Sequence, residues 1–370
     1  MELQHIHVRD YRNIAEAEVD FSPGINLLCG NNAQGKTNLI EAIYSFARGR
    51  SFRGASDATL TRHGKMTYHI AITYRDQNRE GNILSLRTIG DGSARERLRN
   101  GYSVRATEMI GSFRAVLFCP DHLDLVKGSA AGRRTWLNVA LAQLDKVYLN
   151  ALTRYQRGMD ARNMLLKNAR KYGTLDGDQM DAYAEEMAED AVEIVTRRKK
   201  YIEEVVSPAT AQGVAEFTGG KDTLSVRYRS DLIPSIPDPT GETMRERFLR
   251  LLHENVKEEV MNGRTKVGPH LDDVIFRLNG FSARECASQG QARTIVLSLI
   301  LAEGEGQRQH FGEYPVYLLD DVLSELDATR RRFFLSHMKE KQVILTSCEN
   351  TADLADLAAR SIRVENGVYR

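Results

Sequence analysis

Three short stretches carry groups suited to handling phosphate and a divalent cation. The first is Gly30-Asn31-Asn32-Ala33-Gln34-Gly35-Lys36-Thr37. It fits G-x-x-x-x-G-K-[ST], a loop whose glycines let backbone N–H groups turn inward and hold anionic oxygens. Lys36 adds a positive charge for the outer phosphates, and the Thr37 hydroxyl is placed to bind Mg²⁺. The second is Asp320-Asp321, two carboxylates directly after the apolar run Val316-Tyr317-Leu318-Leu319. Beside a phosphate loop, Asp320 would hold the same Mg²⁺, directly or through water, and Asp321 would orient or deprotonate an attacking water. Taken alone, the pair serves equally well as an N-cap. The third is Ala287-Ser288-Gln289-Gly290-Gln291, at the start of an apolar helix. Ser288 reads as its N-cap and Gly290 keeps the first turn open, so hydroxyl, glycine and free N–H groups make a second anion site. Plain capping is the competing account, and in isolation the stronger one. Two anion sites in one chain suggest a nucleotide held between two chains, each supplying one half.

The flanking elements are those such a loop needs. Ile25-Asn26-Leu27-Leu28-Cys29 reads as a buried strand leading in, and Asn38 to about Ala47 as a helix leading out. Residues 3–8 and 15–21 alternate as strands around the turn Tyr11-Arg12-Asn13, as do 67–74, 82–89 and 96–105, the last with an Asn100-Gly101 hairpin. Ala115 to Cys119 is an apolar run ended by Pro120. From Thr135 to Tyr172, and from Met180 to Ser207-Pro208, apolar residues recur at steps of three and four, predicting two long helices joined as an antiparallel hairpin. Residues 223–229 and 274–278 are strands, 242–261 and 291–303 helices, and 342–346 a buried strand; 362–369 closes as a hairpin. This predicts an α/β nucleotide domain, residues 1–119 and 265–370, split by a mostly helical insert, residues 120–264, comprising the hairpin and a small subdomain.

Bulk properties exclude little. The net charge of +1 announces no nucleic-acid partner, so any basic surface is local. No run of eighteen apolar residues spans a membrane, and the N-terminal residues show no signal-peptide pattern. Cys29, Cys119, Cys286 and Cys348 lie far apart, without C-x-x-C, which favours buried reduced thiols in the cytoplasm over a zinc site.

The order phosphate loop, S-x-G-Q, apolar strand with Asp-Asp, then Leu323-Ser324-Glu325-Leu326-Asp327, is that of ABC-type ATPase heads. Within that superfamily the chain resembles the RecF family of bacterial recombination mediators, relatives of chromosome-maintenance ATPases, over essentially its whole length. The most specific stretches are Gly30 to Asn38, Leu319 to Asp327, Gly268-Pro269-His270-Leu271-Asp272-Asp273, and Tyr11-Arg12-Asn13. The resemblance implies an ABC-type P-loop ATPase head built from the N- and C-terminal parts. It implies that Ser288, Gly290 and Gln291 of a second subunit cap the γ-phosphate, that Ser324 and Asp327 touch the other subunit, and that Arg12 lies near the nucleotide. It further implies an ATP-dependent homodimer that clamps DNA at gaps and single-strand/double-strand junctions, works with RecR and RecO to load recombinase, and acts in the cytoplasm with the nucleoid.

Departures bear on turnover. Most ABC heads carry Glu where Asp321 stands. The shorter side chain reaches a water less well, which predicts slow turnover, and the resemblance implies that DNA stimulates this weak ATPase. No histidine follows Leu345; Thr346-Ser347-Cys348 stands there, and no glutamine loop is evident near Phe118-Cys119-Pro120-Asp121. Basic clusters at Arg95, Arg97, Arg99 and Arg105, at Arg133 and Arg134, and at Arg197-Arg198-Lys199-Lys200 are candidate DNA contacts, or equally solvated faces. A transporter ATPase subunit needs a shorter gap than the more than 200 residues between loop and signature. A long-armed chromosome organiser needs hundreds of heptad residues. A non-hydrolysing nucleotide-dependent scaffold is opposed only weakly, by Asp320 and Asp321.

Overall fold

A computed structural model describes residues 1–90, 94–234, 241–323, 326–348 and 358–370. In chain order the strands begin with β1 (Glu2–Tyr11), β2 (Ile14–Asp20), β3 (Ile25–Cys29), β4 (His69–Asp76), β5 (Arg79–Ile89), β6 (Ala94–Arg99), β7 (Tyr102–Ser103) and β8 (Ala115–Phe118). They continue with β9 (Leu224–Arg229), β10 (Asp273–Leu278), β11 (Phe281–Ser282), β12 (Val316–Leu319), β13 (Val343–Ser347), β14 (Arg360–Glu365) and β15 (Val368–Tyr369). Two compact units result. One comprises Met1–Leu123, Glu216–Gly219 and Arg293–Arg370, the other Asp124–Ala215 and Gly220–Ala292.

The first unit carries two sheets. Strands run β2-β1-β4-β5-β6-β7 in an antiparallel sheet and β15-β14-β3-β13-β12-β8 in the other. In the second sheet β14, β3, β13, β12 and β8 are parallel. Every residue of the central strands β3, β12 and β13, and of the edge strand β8, is buried, as expected for parallel strands covered on both faces. This explains why these four segments read as mostly apolar runs, interrupted only by the buried polar residues Asn26, Thr346 and Ser347. The order places β13 between the phosphate-loop strand β3 and the Asp320 strand β12. The Asn-Gly hairpins are real: Asn100, Asn279 and Asn366 all have positive φ, followed by Gly101, Gly280 and Gly367.

The second unit departs from expectation in three ways. Residues 265–292, read from sequence as head, pack here. The cause is strand pairing, since β10 lies between β9 and β11. The continuous helix expected over 135–172 is two helices, Ala130–Leu144 and Lys146–Tyr172. Asp145 interrupts them in extended conformation, its side chain accepting hydrogen bonds from Val147 and Tyr148 N–H. Leu144 and Tyr148 keep the spacing of four, so the periodicity hides the break. Conversely, Ser207-Pro208 does not end the next helix. Gly177–Tyr201 passes through a π segment, Ile202–Val206, into Ser207–Thr218. Ser207 N–H bonds back to Ile202 O, five residues earlier, and this wider turn accommodates a proline that lacks an N–H.

The helical hairpin itself is present. Lys146–Tyr172 and Gly177–Tyr201 are linked by Arg154 to Asp190 and approach closely at Gly158, where a Cβ would sit 2.7 Å from Met187 Cγ. The helix Met244–Asn262 joins them through the buried pair Arg162–Glu259, at 2.6 Å. No helix among the described residues is long and apolar enough to cross a membrane.

Candidate functional site

The helix Lys36–Arg48 starts at Gly35, whose φ of 116° is left-handed, with no side chain capping the N-terminus. Its first N–H groups therefore face outward, as an anion cradle needs. Glycine is required twice. A Cβ on Gly30 would lie 2.2 Å from Val364 O, and one on Gly35 would lie 2.9 Å from Asn13 Oδ1. The loop is braced from two sides. Asn13 donates to Gln34 O at 3.2 Å and accepts from Asn38 at 2.8 Å. From the far end of the chain, Asn366 N–H donates to Gln34 Oε1, Gly367 N–H to Gln34 O, and the Tyr369 hydroxyl to Gly35 O.

Above the loop lies a cavity of about 340 Å³. Asn32, Ala33, Gln34, Gly35, Lys36 and Thr37 line it, together with Asp320, Asp321, Thr346 and Cys348. Lys36 Nζ donates to the Gly30 and Asn31 carbonyls and lies 3.6 Å from Cys348 Sγ. Thr37 Oγ1 donates to Asp320 Oδ1 at 2.9 Å, which brings the hydroxyl and the carboxylate together. Burial pushes the Asp320 carboxyl up from its ordinary value, and hydrogen bonds from Thr346 and Thr37 partly oppose that push. Asp321 follows at the cavity wall with a left-handed φ of 52°.

Arg12 is held by the helix that follows the phosphate loop. Its guanidinium makes two 3.0 Å hydrogen bonds to Glu41, a fully buried carboxylate on the phosphate-loop helix. The arginine that lines the cavity is Arg53, which also donates to Asn38. Its only sequence signal is a basic stretch one loop beyond the helix. Cys119, Pro120 and Asp121 occupy the rim where no glutamine loop was found.

The signature residues lie in the second unit. Ser288 caps the helix Gln289–Phe311 reciprocally: Gln291 N–H donates to Ser288 Oγ and Ser288 N–H to Gln291 Oε1. Gly290 sits in the first turn. The Gln291 amide also reaches both carboxylate oxygens of Asp222 at 3.2 Å. Asp327 caps the helix Ala328–Ser336, accepting from Arg330 N–H. Ser324 lies outside the described residues.

The basic clusters are largely spoken for. Arg133 forms a buried two-point pair with Asp273, and Arg134 donates to Asp272 O. Arg198 is buried, and Arg197 pairs with Asp145 and Glu193. Arg95 is tied to Asp57, and the exposed Arg105 pairs with Glu108. Arg99, Lys199 and Lys200 remain exposed. Of the cysteines, Cys29 and Cys119 are buried as expected, whereas Cys286 and Cys348 are exposed.

The fold and this cavity define a class, the ABC-type ATPase head of the SMC kind. An Smc head domain from Pyrococcus furiosus shares the fold, with a TM-score of 0.56 at 16% identity over 100% of this chain and 95% of that one. The match to the RecF/RecN/SMC N terminal domain family spans residues 2–369. More closely, the chain is 36% identical to the DNA replication and repair protein RecF of Macrococcus caseolyticus, over 92% of this chain and 91% of that protein. It is 37% identical to the RecF of Symbiobacterium thermophilum, over 100% and 96%. The solved structure of the recombination mediator protein RecF with ATP, in the RecFOR pathway, superposes with a TM-score of 0.89 at 28% identity, covering 100% of this chain and 96% of that one. The chain belongs to the RecF family.

Proposed function

We propose that this protein is an ATP-operated DNA repair and replication factor, a switch with slow turnover. The observation that carries the reading is the convergence of the Thr37 and Thr346 hydroxyls on Asp320, at a cavity floored by the phosphate loop. ATP would lie with its phosphates on the loop N–H groups, Lys36 and the start of the helix.

Mg²⁺ fits the donors present. Thr37 and Asp320 offer hard oxygens on one spot, and no group of three or more His, Cys, Asp or Glu side chains suited to a metal occurs among the described residues. Such a site suits a cation that takes few protein ligands and completes its shell with phosphate oxygens and water. When bound, the ion would neutralise charge on the phosphates. Asp321 would accept a proton from the attacking water. Its one-carbon reach keeps the rate low.

Two copies would close on two nucleotides, with Ser288, Gly290 and Gln291 of one facing the phosphates held by the other, and Ser324 and Asp327 at the seam. The closed dimer would clamp DNA at gaps and junctions, stimulated by it, and act with RecR and RecO in the cytoplasm. Sedimentation tests this directly. A non-cleavable ATP analogue is expected to give a dimer and ADP a monomer, with Ser288→Arg monomeric in both. A parent protein that stays monomeric with the analogue, or a Ser288→Arg variant that dimerises, refutes the proposal. Lys36→Met is expected to lose hydrolysis, and affinity for gapped duplex is expected to fall steeply with salt.

A further inference from the structure

The position after β13 where related heads carry a histidine has none here, and the strand itself supplies an alternative. Thr346 lies on β13, one residue beyond the pair Leu345↔Leu319 and opposite Leu28 of β3. It is only 1% exposed. Its hydroxyl has one proton, given to Asp320 Oδ1 at 2.8 Å. The same oxygen accepts the N–H of Asp321 at 2.9 Å. One hydroxyl thus ties the carboxylate of Asp320 to the backbone of Asp321. The tie matters because Asp321 has a left-handed φ of 52°, a conformation that costs a non-glycine residue energy and persists only where neighbours hold it.

We infer that Thr346 is a positioning residue for hydrolysis: its hydroxyl fixes Asp320 and Asp321 relative to each other so that the Asp321 carboxylate meets the attacking water. This rests on the ATPase reading above. A β-branched residue suits a central strand on packing grounds alone, and valine would fill the same space. The hydroxyl, not the shape, is what the inference requires.

The test compares Thr346→Val with Thr346→Ser. In Thr346→Val the Asp321 N–H loses its acceptor. Its kcat is expected to fall roughly ten- to a hundredfold, the scale for a slightly misplaced catalytic group. KM for ATP should stay near that of the parent. Its dimer with ATP, followed by sedimentation, should form normally and outlive the parent's, because hydrolysis would end it. Thr346→Ser, which keeps the hydroxyl, should retain most of the rate. Equal kcat for parent and Thr346→Val overturns the inference. So does an equal fall in both variants, which would assign the effect to disturbed packing at this buried site and not to the hydroxyl, or loss of ATP binding in Thr346→Val. If the unaltered protein hydrolyses no faster than Lys36→Met, the ATPase reading fails first and takes this inference with it.

Discussion

Arg198 separates a core residue from a DNA contact. It sits in the run Arg197-Arg198-Lys199-Lys200, whose composition suggests a basic surface. Yet its side chain is 1% exposed as a residue and donates to the Tyr148 hydroxyl at 3.0 Å, Pro269 O at 2.6 Å, Asn138 Oδ1 at 2.8 Å and Asp272 Oδ2 at 3.4 Å. Arg198→Met keeps an unbranched apolar stem and removes the charged guanidinium. It strands the buried Asp272 carboxylate and several polar groups. Breaking a buried ion pair in this way costs about 3–5 kcal/mol. In a unit of this size each kcal/mol lowers Tm by about 2–4 °C, so the expected fall is roughly 6 to 20 °C. The assay is thermal melting by circular dichroism, with DNA binding measured in parallel at low temperature over a salt series. The exposed neighbour serves as contrast: Lys199→Ala should leave Tm unchanged. The reasoning is refuted if Arg198→Met melts like the parent while its salt slope on DNA falls by about 0.9, the mark of one lost phosphate contact.

Three further outcomes are expected. His270 accepts from the Tyr155 hydroxyl and contacts Thr265 O, and burial, ahead of nearby arginines, lowers its pKa from 6.5 to about 4. The folded state thus favours neutral imidazole; its stabilisation is complete above pH 6.5 and lost as pH falls towards 4. About 2 kcal/mol should be gone by pH 5, and urea unfolding at pH 7 and pH 5 should show a smaller difference in His270→Gln than in the parent. A Cβ on Gly304 would lie 1.7 Å from the Tyr317 hydroxyl, an oxygen with no hydrogen-bond partner among the described residues. Gly304→Ala should therefore destabilise by about 1–3 kcal/mol, Tyr317→Phe should be neutral or stabilising, and the double variant should melt above Gly304→Ala alone. Arg53→Ala should weaken ATP binding about tenfold without lowering Tm, the scale of one charge-assisted contact. Arg12→Ala should instead lower Tm, because Glu41 is left buried without its main partner; calorimetry and nucleotide titration distinguish the two.

What could be read in the sequence was what neighbouring residues decide. The glycine pattern before Lys36, the Asn-Gly turns and the apolar runs of β3, β12 and β13 are local signals, and each marked its element. The position of the carboxylates at the end of β12 was legible because the apolar run before them marks where the strand stops. The basic clusters were not legible, because burial of an arginine depends on an acid distant in sequence: Asp273 answers Arg133 across 140 residues. The helix break at Asp145 was masked by apolar spacing that continues through it. The passage across Pro208 depended on a π turn that no composition announces. The assignment of 265–292 failed to foresee its unit because β10 found its partner in β9, a choice made by the sheet and not by the segment.

The bracing of the phosphate loop has a bearing on how the protein is made. Gln34 and Gly35 take three of their anchors from residues 366–369, more than 330 positions later. During synthesis the glycine cradle is thus translated early but shaped late. A chain that stops short of these residues carries the motif without three of the hydrogen bonds that hold its backbone.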